Sequence, residues 1–227
     1  MQIPHPTMAA DNLIALGRFH LAALAQSPET EVLAPGFGTA QDGLVQARRA
    51  REEAEAALVA PRVALCFSEW SLEQVRRGLA LAAHAADNQS VSGPAFRSVF
   101  PSGLDAEIRP RGAAQVTAAR AVLERLRSQP AAAAIRAEHE PRLEAGVTAC
   151  AAKVEARRQA GEALGIARAR EDGARETWVA AYDSNAGAIR TLFPRNRARQ
   201  DLYFDTFRTR DVAVEDDGPA PAPAPTV

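Results

Sequence analysis

Apolar residues recur at alternating steps of three and four along a long segment of the chain. From Leu44 to Ala86, the positions of this pattern hold Leu, Val or Ala, except at Arg51, Pro61 and Ser68. A seven-residue apolar repeat of this length predicts a long helix that packs its seam against other helices. Because Pro61 lacks a backbone N–H, we expect it to kink the helix or to break it in two.

A second long segment, from about residue 131 to Leu192, carries a weaker form of the same pattern. Its seam runs from Leu143 to Leu164, and the register slips beyond that point, which relaxes supercoiling locally. Arg157 interrupts this seam as Arg51 interrupts the first. We expect each arginine either to extend outward along its methylene stem or to pair with a glutamate on a neighbouring helix.

Shorter amphipathic patterns precede both long segments. One begins at Thr7 or Asp11 and ends near Gln26, and the other covers residues 112–128. The residues between the first short pattern and the first long one, 35–38, read Pro-Gly-Phe-Gly and predict a loop. The last pattern, residues 195–210, predicts a helix that folds back over a bundle end.

A six-residue motif, which we call the closing motif, ends each half of the chain. Residues 96–101 and 189–194 both read apolar, Arg, hydroxyl, aliphatic, Phe, Pro. This repetition predicts two helix-hairpin units, each a short helix followed by a long one, covering residues 1–104 and 105–210. Short connections favour antiparallel neighbours, so the predicted fold is all-α, an elongated up-down helical bundle with a C-terminal capping helix. Residues 211–227 are acidic and then alternate Pro with Ala, which predicts a disordered, extended tail.

Composition supports the helical prediction. Alanine, the residue with the highest helix propensity, fills 51 of 227 positions, while β-branched residues are few and scattered. Only one of the 27 basic residues is a lysine, a bias that is typical of a GC-rich genome. The net charge of −1 gives no overall field that would attract nucleic acid or an anionic membrane.

No motif in the sequence predicts catalysis or a cofactor. None of the four histidines follows an acidic residue by three positions, as a di-iron bundle site would require, and no nucleophile elbow or phosphate-binding loop is present. We therefore predict no catalytic residue, no metal and no cofactor. Two cysteines, Cys66 and Cys150, with neither a secretory signal nor a long uncharged apolar run, favour a cytoplasmic protein.

The strongest local charge lies near the C-terminus, where arginines alternate with aromatic residues. Arginine and aromatic side chains are enriched in protein contacts and also bind and stack on nucleic acids. In the alternative interpretation, the aromatic rings cap the bundle end and the arginines stay solvated. The candidate contact surface combines this cluster with residues of the two closing motifs. Its members are Phe96, Phe100, Phe193, Arg190, Arg195, Arg197, Arg199, Tyr203, Phe204 and Phe207.

These patterns favour a non-catalytic structural or protein-interaction bundle whose partner is another protein or a second copy of the chain. Self-assembly is included because alanine-rich seams supply little apolar bulk for a bundle on its own. One alternative is a bundle that binds a lipid surface reversibly, although its long helices mix Glu with Arg instead of showing a basic face. Another is nucleic-acid or phosphate binding through the arginine cluster.

Overall fold

Helices account for every regular element in the computed structural model, which describes residues 3–90 and 93–205. The predicted all-α class is therefore confirmed for these residues. Phe207 and the predicted tail, 211–227, lie outside them. In chain order the helices are α1 (Ala10–Leu24), α2 (Pro28–Glu31), α3 (Ala34–Ala86), α4 (Pro94–Val99), α5 (Leu104–Ile108), α6 (Ala113–Ser128), a 3-10 turn (Pro130–Ala132), α7 (Ala133–Leu192) and α8 (Arg197–Asp201).

The first long helix is longer than the sequence predicts. The predicted loop at residues 35–38 is wrong, because α3 begins at Ala34 and includes it. Pro35 fits there since the first turn of a helix needs no N–H donor at that position. Phe37 is buried against His20, at 4.9 Å between ring centroids, and this packing outweighs the low helix propensity of the glycines on either side. Of the two alternatives expected at Pro61, a kink or a break, the break does not occur, since α3 continues through this residue.

Contacts between residues divide the chain into two compact units. The middle unit is Gln46–Gly173, and the terminal unit contains the described residues up to Val45 and from Ala174 onward. These units do not coincide with the predicted repeats, 1–104 and 105–210. The contacts group described residues from the first and the last parts of the chain in one unit, whereas the repeat concerns similarity along the sequence. The duplication itself stays a prediction.

In the middle unit, α3 and α7 run antiparallel. Arg51 near the start of this part of α3 pairs with Glu171 near the end of this part of α7, at 3.3 Å. Farther along α3, Leu72 lies beside Gly146 of α7. The predicted seam is buried here at Leu65, Leu72 and Leu79, together with Leu143, Val147 and Cys150 of α7 and with apolar residues of α4 and α6. The pairing of Arg51 with a glutamate of another helix is confirmed, whereas Arg157 is exposed.

In the terminal unit, aromatic residues fill the core. Trp178 and Tyr182 of α7 stack at 4.9 Å, and the Trp178 indole N–H donates a 2.6 Å hydrogen bond to the Gln41 side-chain oxygen. Gly17 lies directly beneath this pair, where an added Cβ would overlap the Gln41 amide. The predicted C-terminal helix, residues 195–210, is a short helix in its described part: α8 ends at Asp201, and the chain then turns so that Tyr203 and Phe204 are buried. Residues 206–210 lie outside the described part of the chain.

Candidate functional site

The most exposed cluster of large apolar side chains in the described residues lies on one face of α3. We call it the outer stripe; its members are Val59, Val63, Cys66, Phe67 and Trp70. Their spacings of four, three, one and three residues place all five within about 100° of the helix circumference. They form a single continuous surface because side chains three and four positions apart are neighbours on a helix.

The outer stripe lies on the side of α3 away from the buried seam. The seam positions Leu58, Leu65 and Leu72 are centred about 150° from it, at about 100° per residue. The helix α7 covers the seam side, so it leaves the outer stripe uncovered. This part of α3 therefore has two apolar faces, of which the middle unit buries only one.

The exposure of the outer stripe is large for apolar residues. Val59, Val63, Phe67 and Trp70 leave 56%, 50%, 70% and 63% of their surfaces in solvent. Together with Cys66 they present roughly 500 Å² of apolar surface, which is at the upper end of what monomeric proteins expose in one patch. Cys66, Phe67 and Trp70 also line an open recess of about 350 Å³. Patches of this size are often binding surfaces.

The charges around the outer stripe are mixed and slightly acidic. From Glu52 to Arg77, α3 carries five glutamates and three arginines. Glu52 precedes the stripe on the same face and Arg77 follows it. Both are held by neighbours four residues away, Glu52 by Arg48 at 2.9 Å and Arg77 by Glu73 at 2.7 Å. The outer stripe therefore has a carboxylate at one end and a guanidinium at the other.

The predicted contact surface does not form one site. Its aromatic members are divided between the two units, and all that are described are buried. Phe96 and Phe100 belong to the core of the middle unit, where Phe96 stacks on His84 at 4.1 Å. The others, Phe193, Tyr203 and Phe204, belong to the core of the terminal unit. Buried rings cannot reach a partner while the fold is intact, so their role in this structure is packing.

The described arginines of that surface are partly occupied within the chain. Arg199 lies 3.8 Å over the Phe193 ring and forms a 2.7 Å ion pair with Glu29. Arg197 is 3.8 Å from Asp201, and Arg190 and Arg195 are exposed. Stacking on one side and pairing on the other leaves the Arg199 guanidinium little capacity for phosphate. This arrangement agrees with the alternative in which the rings pack and the arginines stay at the surface.

A second group of polar side chains is buried in the terminal unit around His20. Its Nδ1 donates to the Tyr203 carbonyl at 2.8 Å, so its Nε2 accepts from the Asn185 amide at 3.1 Å. Burial lowers the pKa of His20 more than this carbonyl raises it, so the ring is neutral. Burial, with a smaller contribution from Asp205, raises the pKa of Tyr182 above its ordinary value. Rings of Phe37, Tyr182 and Phe204 surround His20, so the group is closed to solvent. We read it as a structural hydrogen-bond network.

Acidification is expected to destabilise the chain through His20. The folded-state pKa lies below the unfolded value of 6.5, so below pH 6.5 the unfolded chain takes up the proton first. The contribution of His20 to the free energy of unfolding is complete above pH 6.5, falls as the pH decreases from 6.5 toward the folded pKa, and changes no further below that pKa. Urea unfolding between pH 8 and pH 5 should show this loss in the wild type. In His20→Asn, the free energy of unfolding should change less with pH over this range. An equal change with pH in the variant and the wild type would show that other groups cause the loss of stability.

The described residues contain neither a cluster of metal ligands nor a helix able to span a membrane. No three His, Cys, Asp or Glu side chains there converge as metal ligands would. None of the helices in residues 3–90 and 93–205 combines the length and hydropathy that crossing a bilayer requires. No family model, curated protein or solved structure matches the chain. The assignment of function therefore rests on the geometry of the outer stripe.

Proposed function

We propose that the chain is a non-catalytic helical interaction module that binds a protein partner through the outer stripe. In this proposal the chain is an up-down bundle of two helix-hairpin repeats, and α3 serves as both its core helix and its binding helix. The observation that carries the proposal is the exposure of Phe67 and Trp70, neighbours on the helix face opposite the seam. Exposed Trp and Phe in the middle of an apolar patch are typical of the central contacts of protein interfaces.

The charges favour a protein over a lipid surface or a nucleic acid as the partner. Five glutamates against three arginines along this part of α3 give a net negative charge, which repels anionic lipids and phosphates. Two of these glutamates, Glu69 and Glu73, lie beside the C-terminal end of the outer stripe. Glu69 accepts a hydrogen bond from the Gly112 N–H, and Glu73 forms an ion pair with Arg111. A protein surface can match such mixed charges with opposite ones of its own.

Photo-crosslinking from the outer stripe tests this function. A benzophenone maleimide attached to Cys66 should, on irradiation in an extract of the cells that make the protein, yield a discrete protein–protein adduct. The adduct should disappear in Phe67→Ser/Trp70→Ser, since these changes remove most of the exposed aromatic surface. Vesicles of neutral and of anionic lipid should not float the protein.

The matched control carries the same label elsewhere. Val32 is 75% exposed and lies outside the outer stripe, so Val32→Cys in a Cys66→Ser background presents the label on ordinary surface. Equal adducts from position 32 and position 66, or flotation with vesicles that Phe67→Ser/Trp70→Ser abolishes, would contradict the proposed function.

A further inference from the structure

We infer that the outer stripe docks onto the outer stripe of a second copy of this chain, with the two α3 helices antiparallel across a two-fold axis. This inference rests on the proposed function and names its partner.

The side chains along α3 are complementary to the same segment read backwards. About a midpoint between Ala64 and Leu65, Val59 lies opposite Trp70, and Val63 lies opposite Cys66. Each pair sets a smaller side chain against a larger or equal one, which allows two helices to approach closely. A parallel arrangement would instead place Trp70 against Trp70 and Val59 against Val59, which leaves unequal gaps along the interface.

The charges show the same antiparallel complementarity. Glu52 and Arg77 lie at equal distances from the midpoint and on the same side of the helix. Glu52 of each copy would therefore face Arg77 of the other copy. At one edge, the exposed Arg62 would lie near Glu69 of the second copy. In a parallel pair, Glu52 would face Glu52 and Arg77 would face Arg77, and like charges in contact destabilise an interface.

One like-charged contact also follows from the antiparallel register. Glu55 lies near the position that Glu73 of the second copy would occupy. Each of these carboxylates is already held by two arginines of its own chain: Glu55 by Arg51 and Arg168, and Glu73 by Arg77 and Arg111. Their own arginines lower the pKa of both carboxyls, and the same cations offset the repulsion between them.

The area fits a reversible dimer. Two outer stripes bury on the order of 1,000 Å² in total, which is close to the smallest area of a specific protein interface. The contact is isologous, so it closes with two copies and does not extend into a filament. We therefore expect a dimer that dissociates on dilution.

Sedimentation equilibrium over a wide range of concentrations tests this inference. The purified wild type should move from monomer to dimer as concentration rises. Phe67→Ser/Trp70→Ser should weaken the dimer at least 100-fold, because each substitution acts twice across the two-fold axis, whereas Val32→Ser should leave it unchanged. Circular dichroism should show the same helix content in all variants, so a loss of dimer cannot come from unfolding.

Charge reversal tests the antiparallel order. Glu52→Arg alone and Arg77→Glu alone should each weaken the dimer several-fold. The double variant Glu52→Arg/Arg77→Glu should return most of the lost affinity, since the opposite charges then face each other again. A double variant as weak as the sum of the two single changes would overturn the antiparallel pairing.

Failure of the inference is distinguishable from failure of the proposed function. A wild type that stays monomeric at every concentration, or a dimer that Phe67→Ser/Trp70→Ser does not weaken, would overturn self-docking. If the label at Cys66 still yields a discrete adduct with a different protein, the stripe remains a protein-binding surface. If that adduct is also absent, the proposed function fails as well.

Discussion

Trp178→Ala is expected to lower the free energy of unfolding by about 3–5 kcal/mol, the range found when a large buried aromatic residue is truncated. The Trp178 side chain is 0% exposed, and it stacks on Tyr182 while donating to Gln41. Its removal leaves a cavity and also deprives the Gln41 side-chain oxygen of its donor. Urea unfolding followed by circular dichroism measures the loss.

The second tryptophan of the chain supplies the matched control. Trp70→Ala should change the free energy of unfolding by less than about 0.5 kcal/mol at a protein concentration where the chain is monomeric, since exposed positions contribute little. Trp178→Phe keeps most of the ring but loses the N–H, so its cost should lie between the two. Equal losses for Trp70→Ala and Trp178→Ala would show that the outer stripe is part of a core.

Glu107→Gln is expected to cost about 3 kcal/mol, because it removes the carboxylate from a buried group of charges. Glu107 accepts from Arg125 at 2.5 Å, and its backbone carbonyl accepts from Arg76, which is 0% exposed. Burial lowers the pKa of Arg76, against the opposing effects of Glu73 and Glu107. Without the Glu107 carboxylate, less negative charge lies near the buried Arg76 guanidinium, so less of the cost of its desolvation is offset.

A double-mutant cycle separates this electrostatic effect from lost packing. Met has a volume and shape close to those of the Arg76 stem, so Arg76→Met removes the buried cation with little change in packing. Arg76→Met/Glu107→Gln should be more stable than Glu107→Gln alone, recovering at least half of the loss. A double variant less stable than either single change would show that the two residues contribute independently.

The buried seam of α3 was predictable from the sequence because it needs only a helical period. Leu65, Leu72 and Leu79 recur every seven residues, and the structure buries all three. The bounds of α6, Ala113–Ser128, also agree with the predicted short pattern at 112–128. Local signals sufficed for these elements since apolar spacing and helix propensity agree along them.

The candidate site was not predicted, although its signal is present in the sequence. Val59, Val63, Phe67 and Trp70 form a second apolar stripe on the helix that carries the leucine seam. Periodicity shows that both stripes exist, but the position of α7 decides which one is covered. The same limit explains why Phe96 and Phe100 were predicted to form a contact surface. They belong to a closing motif in the sequence, but they pack with residues of α3 and α6 in the core. The buried Arg76 is likewise set by its tertiary contacts.

The rate at which Cys66 reacts with a thiol reagent tests most directly whether a second copy covers the outer stripe. Cys66 lies within the stripe and is exposed, whereas Cys150 is buried and burial raises the pKa of its thiol, so only Cys66 should react readily. The rate should fall at least tenfold as protein concentration rises through the dimer range, and it should not fall in Phe67→Ser/Trp70→Ser. A Cys66 rate in the wild type that is the same at every concentration would contradict the account.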